Sequence, residues 1–188
     1  MNKKLFVLSA ASGAGKTTLK DLVIPQIPNI CYSISATTRM PREGEIEGVH
    51  YFFKSKKDFI EMIKNNELVE WNEVHGNYYG TPKDFVQKKL AEGKKILFDL
   101  DVFGKINFDK EYPEAVGILI LPPSMEVLKK RLKDRATDND DTISLRLRNA
   151  LKEIDFAQKH GKYEYTIIND DLQKATIELK NILLNEVK

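Results

Sequence analysis

A chain of 188 residues fits one compact domain with an inserted lobe or two, and two independent domains are not expected. Hydrophobic residues at 41% and charged residues at 31% describe a globular protein that buries a core, which excludes disorder. The 30 Lys and Arg against 28 Asp and Glu leave a formal charge of +2, which excludes the dense basic field of a protein that holds nucleic acid by counterion release.

The first nine residues, a lysine pair and a short apolar run, read as a strand and not as a signal peptide. Residues 5–10 form a nearly continuous apolar run, the pattern of a strand covered on both faces in a parallel sheet. Similar runs recur at 96–100, 116–121 and 165–168, with helical stretches between them, so the fold class is α/β with a parallel sheet flanked by helices. Ser124 is placed to cap a helix carrying Val127, Leu128 and Leu132. The turn-prone Asn169-Asp170-Asp171 opens a last helix with an apolar stripe of Leu172, Ala175, Leu179, Ile182 and Leu183. Two stretches break the alternation. Residues 33–81 read as short strands at 33–36 and 51–53 and a helix opened by Ser55, whose spacing to Asp58 resembles a capping box. Residues 131–148 hold a polar span, 138–141, bracketed by arginines. The single Cys31 excludes an internal disulfide and fits a reducing compartment; no apolar run is long enough to span a membrane, and a cytoplasmic location is expected.

Between the first strand and the helix that begins near Thr18 stands Ala10-Ala11-Ser12-Gly13-Ala14-Gly15-Lys16-Thr17-Thr18. Glycines there let successive backbone N–H groups turn inward as an anion nest at a helix N-terminus. In such a loop Lys16 reaches the β and γ phosphates of ATP and the Thr17 hydroxyl binds Mg²⁺. The first glycine of the phosphate-loop pattern is replaced by Ala10, and the bland alternative is a glycine turn with an exposed lysine. Further on, Arg39 and Arg42 flank a proline turn with Tyr51 nearby, which taken bare reads as a solvated face. Glu70-Trp71 followed by Gly76-Asn77-Tyr78-Tyr79-Gly80-Thr81 taken bare reads as a hairpin.

Together these segments resemble the guanylate kinase family over about residues 4–182. The resemblance rests on the order and spacing of 12–17, 35–42, Glu70-Trp71, 76–81, Asp99-Leu100-Asp101 and 167–171. It implies a P-loop NTPase-type core with an inserted mixed α+β GMP-binding lobe and a short helical lid. The expected division of a single domain at 3–184 is core 1–33, 83–127 and 151–188, lobe 34–82 and lid 128–150. It also implies that Arg39, Arg42, Tyr51 and Tyr79 hold the 5′-phosphate of GMP, since guanidinium forks grip phosphate oxygens bidentately. Glu70 would accept from guanine N1–H and the 2-amine, while the Ser35 and Thr81 hydroxyls donate to O6. Adenine inverts that pattern, and a polar site of this kind rejects such an analogue by about 10⁴-fold. Asp101 is expected at the base edge and Asp99 at the metal or its waters, polar ends of a buried strand being the bland alternative. Arg135 and Arg146 fall on the lid positions that close over the phosphates, with Arg131 and Arg148 nearby; surface pairing with neighbouring acids is the competing reading.

Departures from the family pattern are Ala10-Ala11 for Gly-Pro, Phe103 for Gln and Ala136 for Gly. The implied catalytic set is Lys16, Arg42, Arg135 and Arg146, with GMP and ATP as partners, Mg²⁺ as cofactor and dGMP left open as an acceptor. Two other readings are weighed: a non-catalytic guanylate-kinase-like binding module, and a kinase for another small phosphorylated acceptor. Trp71 reads as a packing anchor, and Cys31, His50, His75 and His160 carry no assigned chemistry.

Overall fold

The structure, a computed structural model, describes residues 4–74, 76–134 and 140–185. Strand β1 (Leu5–Ala10) is buried along its whole length. It lies at the centre of a five-stranded sheet of order β2-β7-β1-β8-β9, made by β2 (Ile30–Tyr32), β7 (Lys95–Asp99), β8 (Val116–Leu121) and β9 (Tyr165–Ile168). Every pairing in it is parallel. Continuous apolar runs are required here because helices cover both faces. On one face Leu8, Ile118 and Ile120 pack with Leu19 of α1 (Lys16–Val23) and with Ala175, Leu179 and Leu183 of α7 (Leu172–Asn185). On the other, Val7 and Phe98 pack with Val86 of α3 (Lys83–Ala91) and Phe108 of α4 (Val102–Glu111). α5 (Met125–Asp134) and α6 (Asp140–His160) pack together through Leu128, Leu132, Ile143 and Ala150.

A second, four-stranded sheet has order β4-β3-β6-β5, from β3 (Ala36–Thr37), β4 (Phe52–Phe53), β5 (Leu68–Val74) and β6 (Asn77–Pro82). β5 and β6 form an antiparallel hairpin, β6 pairs antiparallel with β3, and β3 runs parallel to β4. α2 (Lys56–Lys64) covers this sheet with the buried Phe59, stacked on Tyr78 at 5.5 Å. Its N-terminus is held by the Ser55 hydroxyl, which accepts the Asp58 N–H at 3.1 Å. Among the described residues no helix is long and apolar enough to cross a membrane.

The strand expected at 33–36 is not formed as one element. Ser33 still donates its N–H to the Leu97 carbonyl, and the chain then crosses between sheets, its ladder with β4 and β6 resuming at Ala36. The strand expected at 96–100 is displaced by one residue, because Leu100 and Asp101 turn out of the sheet to start α4. Leu172 is 40% exposed and leaves the expected stripe, since the first residue of α7 lines a depression beside the 12–18 loop. Of the polar span 138–141, residues 138 and 139 lie outside the described residues, and 140 and 141 open α6.

Candidate active site

β2 and β7 lie on one side of β1, whereas β8 and β9 lie on the other, so the chain's connections reverse at β1. Crevices at the carboxyl ends of strands beside such a reversal are where α/β ligands gather. The loop at that end takes its shape from two left-handed glycines, Gly13 (φ 89°) and Gly15 (φ 97°). Gly15 caps α1, which therefore starts at Lys16, two residues earlier than the apolar pattern suggests. Ser12, Thr17 and Thr18 are exposed at the mouth, whereas Ala10 and Ala11 turn their methyls into core. Those two alanines, grouped with the nucleotide loop on sequence, are packing residues at the side-chain level, because Ala10 still belongs to β1 and pairs with Ile120.

Asn169 locks the loop from below. Its amide donates to the Ala14 carbonyl at 2.8 Å, and its own backbone carbonyl accepts from Arg131 Nη2 at 2.8 Å. A methyl on Gly15 would overlap that amide nitrogen. A non-glycine residue in this backbone region costs on the order of 1–3 kcal/mol before any overlap. Gly15→Ala is thus expected to weaken ATP binding at least about tenfold with GMP binding retained, as read by calorimetric titration of each nucleotide.

Lys16 forms an ion pair with Asp99 at the end of β7, and its ammonium lies 3.4 Å from the Leu100 carbonyl. The other Asp99 oxygen accepts from the Tyr32 hydroxyl at 3.2 Å. Burial and the Asp99 charge push the Tyr32 phenol far above its ordinary range, so it stays a neutral donor. Lys20 sits 4.1 Å over the Tyr32 ring. From the opposite side α6 brings Glu153, whose carboxyl is raised by burial while the Ser12 backbone N–H and Lys16 act against that rise.

Across from Asp99 a cleft of about 550 Å³ runs into the second sheet, with Ser35, Tyr51, Glu70, Tyr79, Asp99 and Asp101 on its walls. A larger cavity of about 720 Å³ opens behind the lobe between α2 and α3, away from Lys16 and Glu70. The smaller cleft is the candidate acceptor site because the acidic strand end and the phenols line it, and Asp99 on its wall pairs with Lys16 of the loop.

At one end of the cleft Arg39 lies 5.3 Å over the Tyr51 ring, and Tyr51 meets Tyr79 edge-on at 6.2 Å. Glu45 holds the Arg39 fork at 2.7 Å and also accepts the Arg42 N–H at 2.8 Å. These bonds pull the Glu45 carboxyl down to about 2. Neither arginine is on the cleft wall itself, but Arg39 is half-buried against Tyr51 whereas Arg42 is exposed, so the structure brings Arg39, Tyr51 and Tyr79 together and leaves Arg42 at the rim.

At the other end β5 carries a register shift between Leu68 and Trp71. Such irregularities re-aim a side chain, and here Glu70 turns inward, 8% exposed. Its backbone oxygen lies where a methyl on Gly80 would clash, so only glycine fits opposite it. Burial pushes the Glu70 carboxyl up to about 7, against the Thr81 hydroxyl, which donates to it at 2.7 Å. Thr81, expected to donate to a base, instead commits its proton to Glu70 because it is wholly buried behind that carboxylate. Asp101 caps α4, accepting from Phe103 N (3.0 Å) and Gly104 N (2.6 Å), while its other oxygen accepts from Asn72 at 3.3 Å. Strand alternation then forces Trp71 outward, 42% exposed and edge-on to Tyr78, so it is not a buried anchor. Ser35 faces the cleft, and beside it the buried Ser33 hydroxyl has no hydrogen-bond partner.

Of the lid arginines, Arg135 lies outside the described residues, as does Ala136. Arg146 is half-buried on α6, Arg148 is exposed, and Arg131 is half-buried at the phosphate loop. Phe103 stands against Phe156 of α6 with ring centroids 4.5 Å apart, an aromatic contact at the position where the family pattern has Gln. His50 accepts the Ile46 N–H at 3.0 Å, and burial raises the Cys31 thiol, which donates weakly to the Lys95 carbonyl; both are structural. Sequence reasoning missed Tyr32, Ser33, Glu45, Asn72 and Glu153 altogether and took Asn169 only as a turn residue. For Asn169 its place in the 167–171 segment was an available signal.

A parallel sheet, a glycine loop opening α1, a carboxylate ending the neighbouring strand and a second polar cleft define a P-loop kinase acting on a small acceptor. A family model described as guanylate kinase matches residues 2–186. A guanylate kinase of Bacillus anthracis is 46% identical over 183 residues, covering 97% of this chain and 88% of that one. One from Carboxydothermus hydrogenoformans is 45% identical over 182 residues, covering 97% and 88%. The crystal structure of guanylate kinase from Anaplasma phagocytophilum superposes with a TM-score of 0.74 at 32% identity, covering 98% of this chain and 86% of that one. The chain belongs to the guanylate kinase family.

Proposed function

We propose that the chain catalyses Mg²⁺-dependent transfer of the γ-phosphoryl group of ATP to GMP. An oxygen of the GMP phosphate forms the new bond to the γ-phosphorus, the bond from that phosphorus to the β,γ-bridging oxygen breaks, and ADP leaves with GDP formed. The observation that carries this reading is one cleft with the Glu70 and Asp101 carboxylates at one end and Asp99, paired with Lys16, at the other. Guanine offers two adjacent donors, N1–H and the 2-amine, which suit an acidic wall. Ser35, joined by the unpartnered Ser33 hydroxyl, supplies donors for O6, and Thr81 acts by fixing Glu70. Arg39, Tyr51 and Tyr79 receive the 5′-phosphate, which displaces Glu45 from the Arg39 fork, and Arg42 turns in from the rim.

The loop amides and Lys16 take the triphosphate. Its nucleoside end fits the depression of about 350 Å³ between Gly15, Arg131 and Asn169, where Arg131 Nη1 is buried with no partner among the described residues. Thr17 and Asp99 present only oxygen donors, a set suited to Mg²⁺, and no cluster of three or more ligating side chains occurs among the described residues. Such a sparse site fits an ion held mainly by substrate phosphates, which when bound neutralises their charge. Positioning and charge neutralisation carry catalysis in this chemistry. Arg146 of α6 adds to the positive surround.

An ADP-release assay with GMP, AMP, UMP and ribose phosphates in parallel tests the assignment. Turnover is expected with GMP, with AMP lower by roughly 10⁴-fold. No turnover with any acceptor identifies a binding module, and preference for a non-guanine acceptor identifies a different kinase.

A further inference from the structure

We infer that Asn72 is a specificity-determining positioning residue that holds the Asp101 carboxylate against the 2-amino end of a guanine base. The inference rests on the proposed GMP site. Asn72 follows Glu70 by two residues on β5, so both side chains leave the strand on the cleft face while Trp71 leaves on the other. Two residues along a strand span roughly 6.5 Å, longer than the guanine edge from O6 to the 2-amine. With Glu70 set against that edge, Asn72 stands beyond the 2-amine and acts on the base through Asp101.

The orientation of the Asn72 amide is fixed by its neighbours. Its carbonyl accepts the Glu73 N–H at 2.9 Å, which leaves the NH₂ group to face Asp101, where it donates to Oδ2 at 3.3 Å. Asp101 Oδ1 is bound to the two N–H groups that open α4. Only Oδ2 is therefore aimed into the cleft, and Asn72 is the side chain that aims it. A methyl built on Gly104 would lie 3.1 Å from Glu70 Oε2 and 3.3 Å from Asp101 Oδ1, so the two carboxylates converge on the space that this glycine leaves. Two like charges so close repel, and the Asp101 charge contributes to the raised protonation of Glu70. The Asn72 donor offsets part of that repulsion and keeps Oδ2 turned to a base amine. Sequence alone gives no sign of this, since Asn72 and Asp101 are 29 residues apart.

A purine without a 2-amine has nothing for Asp101 Oδ2 to accept, so the consequence is selective. The test measures kcat and KM for GMP and for IMP in the wild-type chain and in Asn72→Ala, with ATP saturating. A lost hydrogen bond to a charged group is worth roughly a factor of ten. The variant is expected to raise KM for GMP about tenfold, leave IMP within about twofold, and so lower the GMP-to-IMP preference about tenfold, with the KM for ATP unmoved. Asn72→Asp, which places a third negative charge there, is expected to depress GMP use further than alanine does. Equal losses with GMP and IMP, or no change with either, would overturn the inference. Failure of the base assignment itself reads differently: a wild-type chain with no preference for GMP over IMP overturns the Glu70 site and this inference together.

Discussion

Glu70→Gln is expected to lower kcat/KM for GMP by roughly 10²–10⁴-fold and, at the same time, to make the empty protein more stable at pH 8. Both effects come from one fact: a carboxyl group 8% exposed beside Asp101 is raised to about 7. Glutamine keeps an oxygen for the Thr81 hydroxyl but turns an NH₂ group toward the cleft, donor against donor. Two hydrogen bonds between charged acceptor and base are lost, at roughly 1.5–3 kcal/mol each, which sets the range. The stability effect has the opposite sign. In the unfolded chain the Glu70 carboxyl releases its proton near the ordinary 4.5, whereas in the fold it keeps it to about 7. Between those values the folded state binds more protons, so stability falls as pH rises across that window. Above pH 7 the full cost is present, about 3 kcal/mol for a shift of this size. Urea unfolding at pH 8 should therefore show Glu70→Gln more stable than wild type, with the gap closing as pH falls towards 4.5. Wild-type kcat/KM for GMP should decline below pH 7 as the carboxylate takes up its proton. A variant that is less stable at pH 8, or a GMP profile flat from pH 8 to 5.5, contradicts this account of Glu70.

The same residue shows which parts of the molecule could be read in advance. Glu70 was legible as chemistry because a carboxylate beside a glycine-rich hairpin belongs to a motif. Its raised protonation was not, because burial depends on Thr81, Gly80 and Gly104 closing around it. β1 and β8 follow the apolar runs residue by residue, since strands covered on both faces leave no other pattern, and the edge strand β9 follows its run although Thr166 and Ile168 are exposed. β2, β3 and β4 have three residues or fewer, too short for any periodicity to register. Ala10 and Ala11 were placed by motif alignment with the nucleotide, yet packing claims their methyls. The contacts that brace the site are the least visible: Asn169 reaches Ala14 across 155 positions, and Glu45 holds the Arg39 fork. Amide and carboxylate partners of this kind have no sequence period, so only the folded chain reveals them.

Lys16 and Asp99 should separate cleanly by kinetics. Lys16→Ala removes the ammonium paired with Asp99, and loss of a preorganised charge at the transferring group costs on the order of 10²–10³ in rate, more where no neighbour substitutes. In this chain Lys20 is the next cation along α1, but it is held over the Tyr32 ring. The variant is therefore expected to lose transfer nearly completely while GMP titrates normally, because the Glu70 end of the cleft is untouched. Asp99→Asn has the converse signature. Lys16 loses its ion partner but keeps the Leu100 carbonyl at 3.4 Å, and Tyr32 keeps an oxygen to donate to. With the competing carboxylate gone, the ammonium is freer to engage a triphosphate, so ATP affinity is maintained or tightened. Turnover still falls, because the same carboxylate is one of the two oxygen donors proposed for the divalent ion. In a double-mutant cycle on kcat the two losses should be strongly non-additive, as expected for groups that act as a unit. Additive losses would mean that the ion pair of the empty protein has no part in aligning Lys16 for transfer.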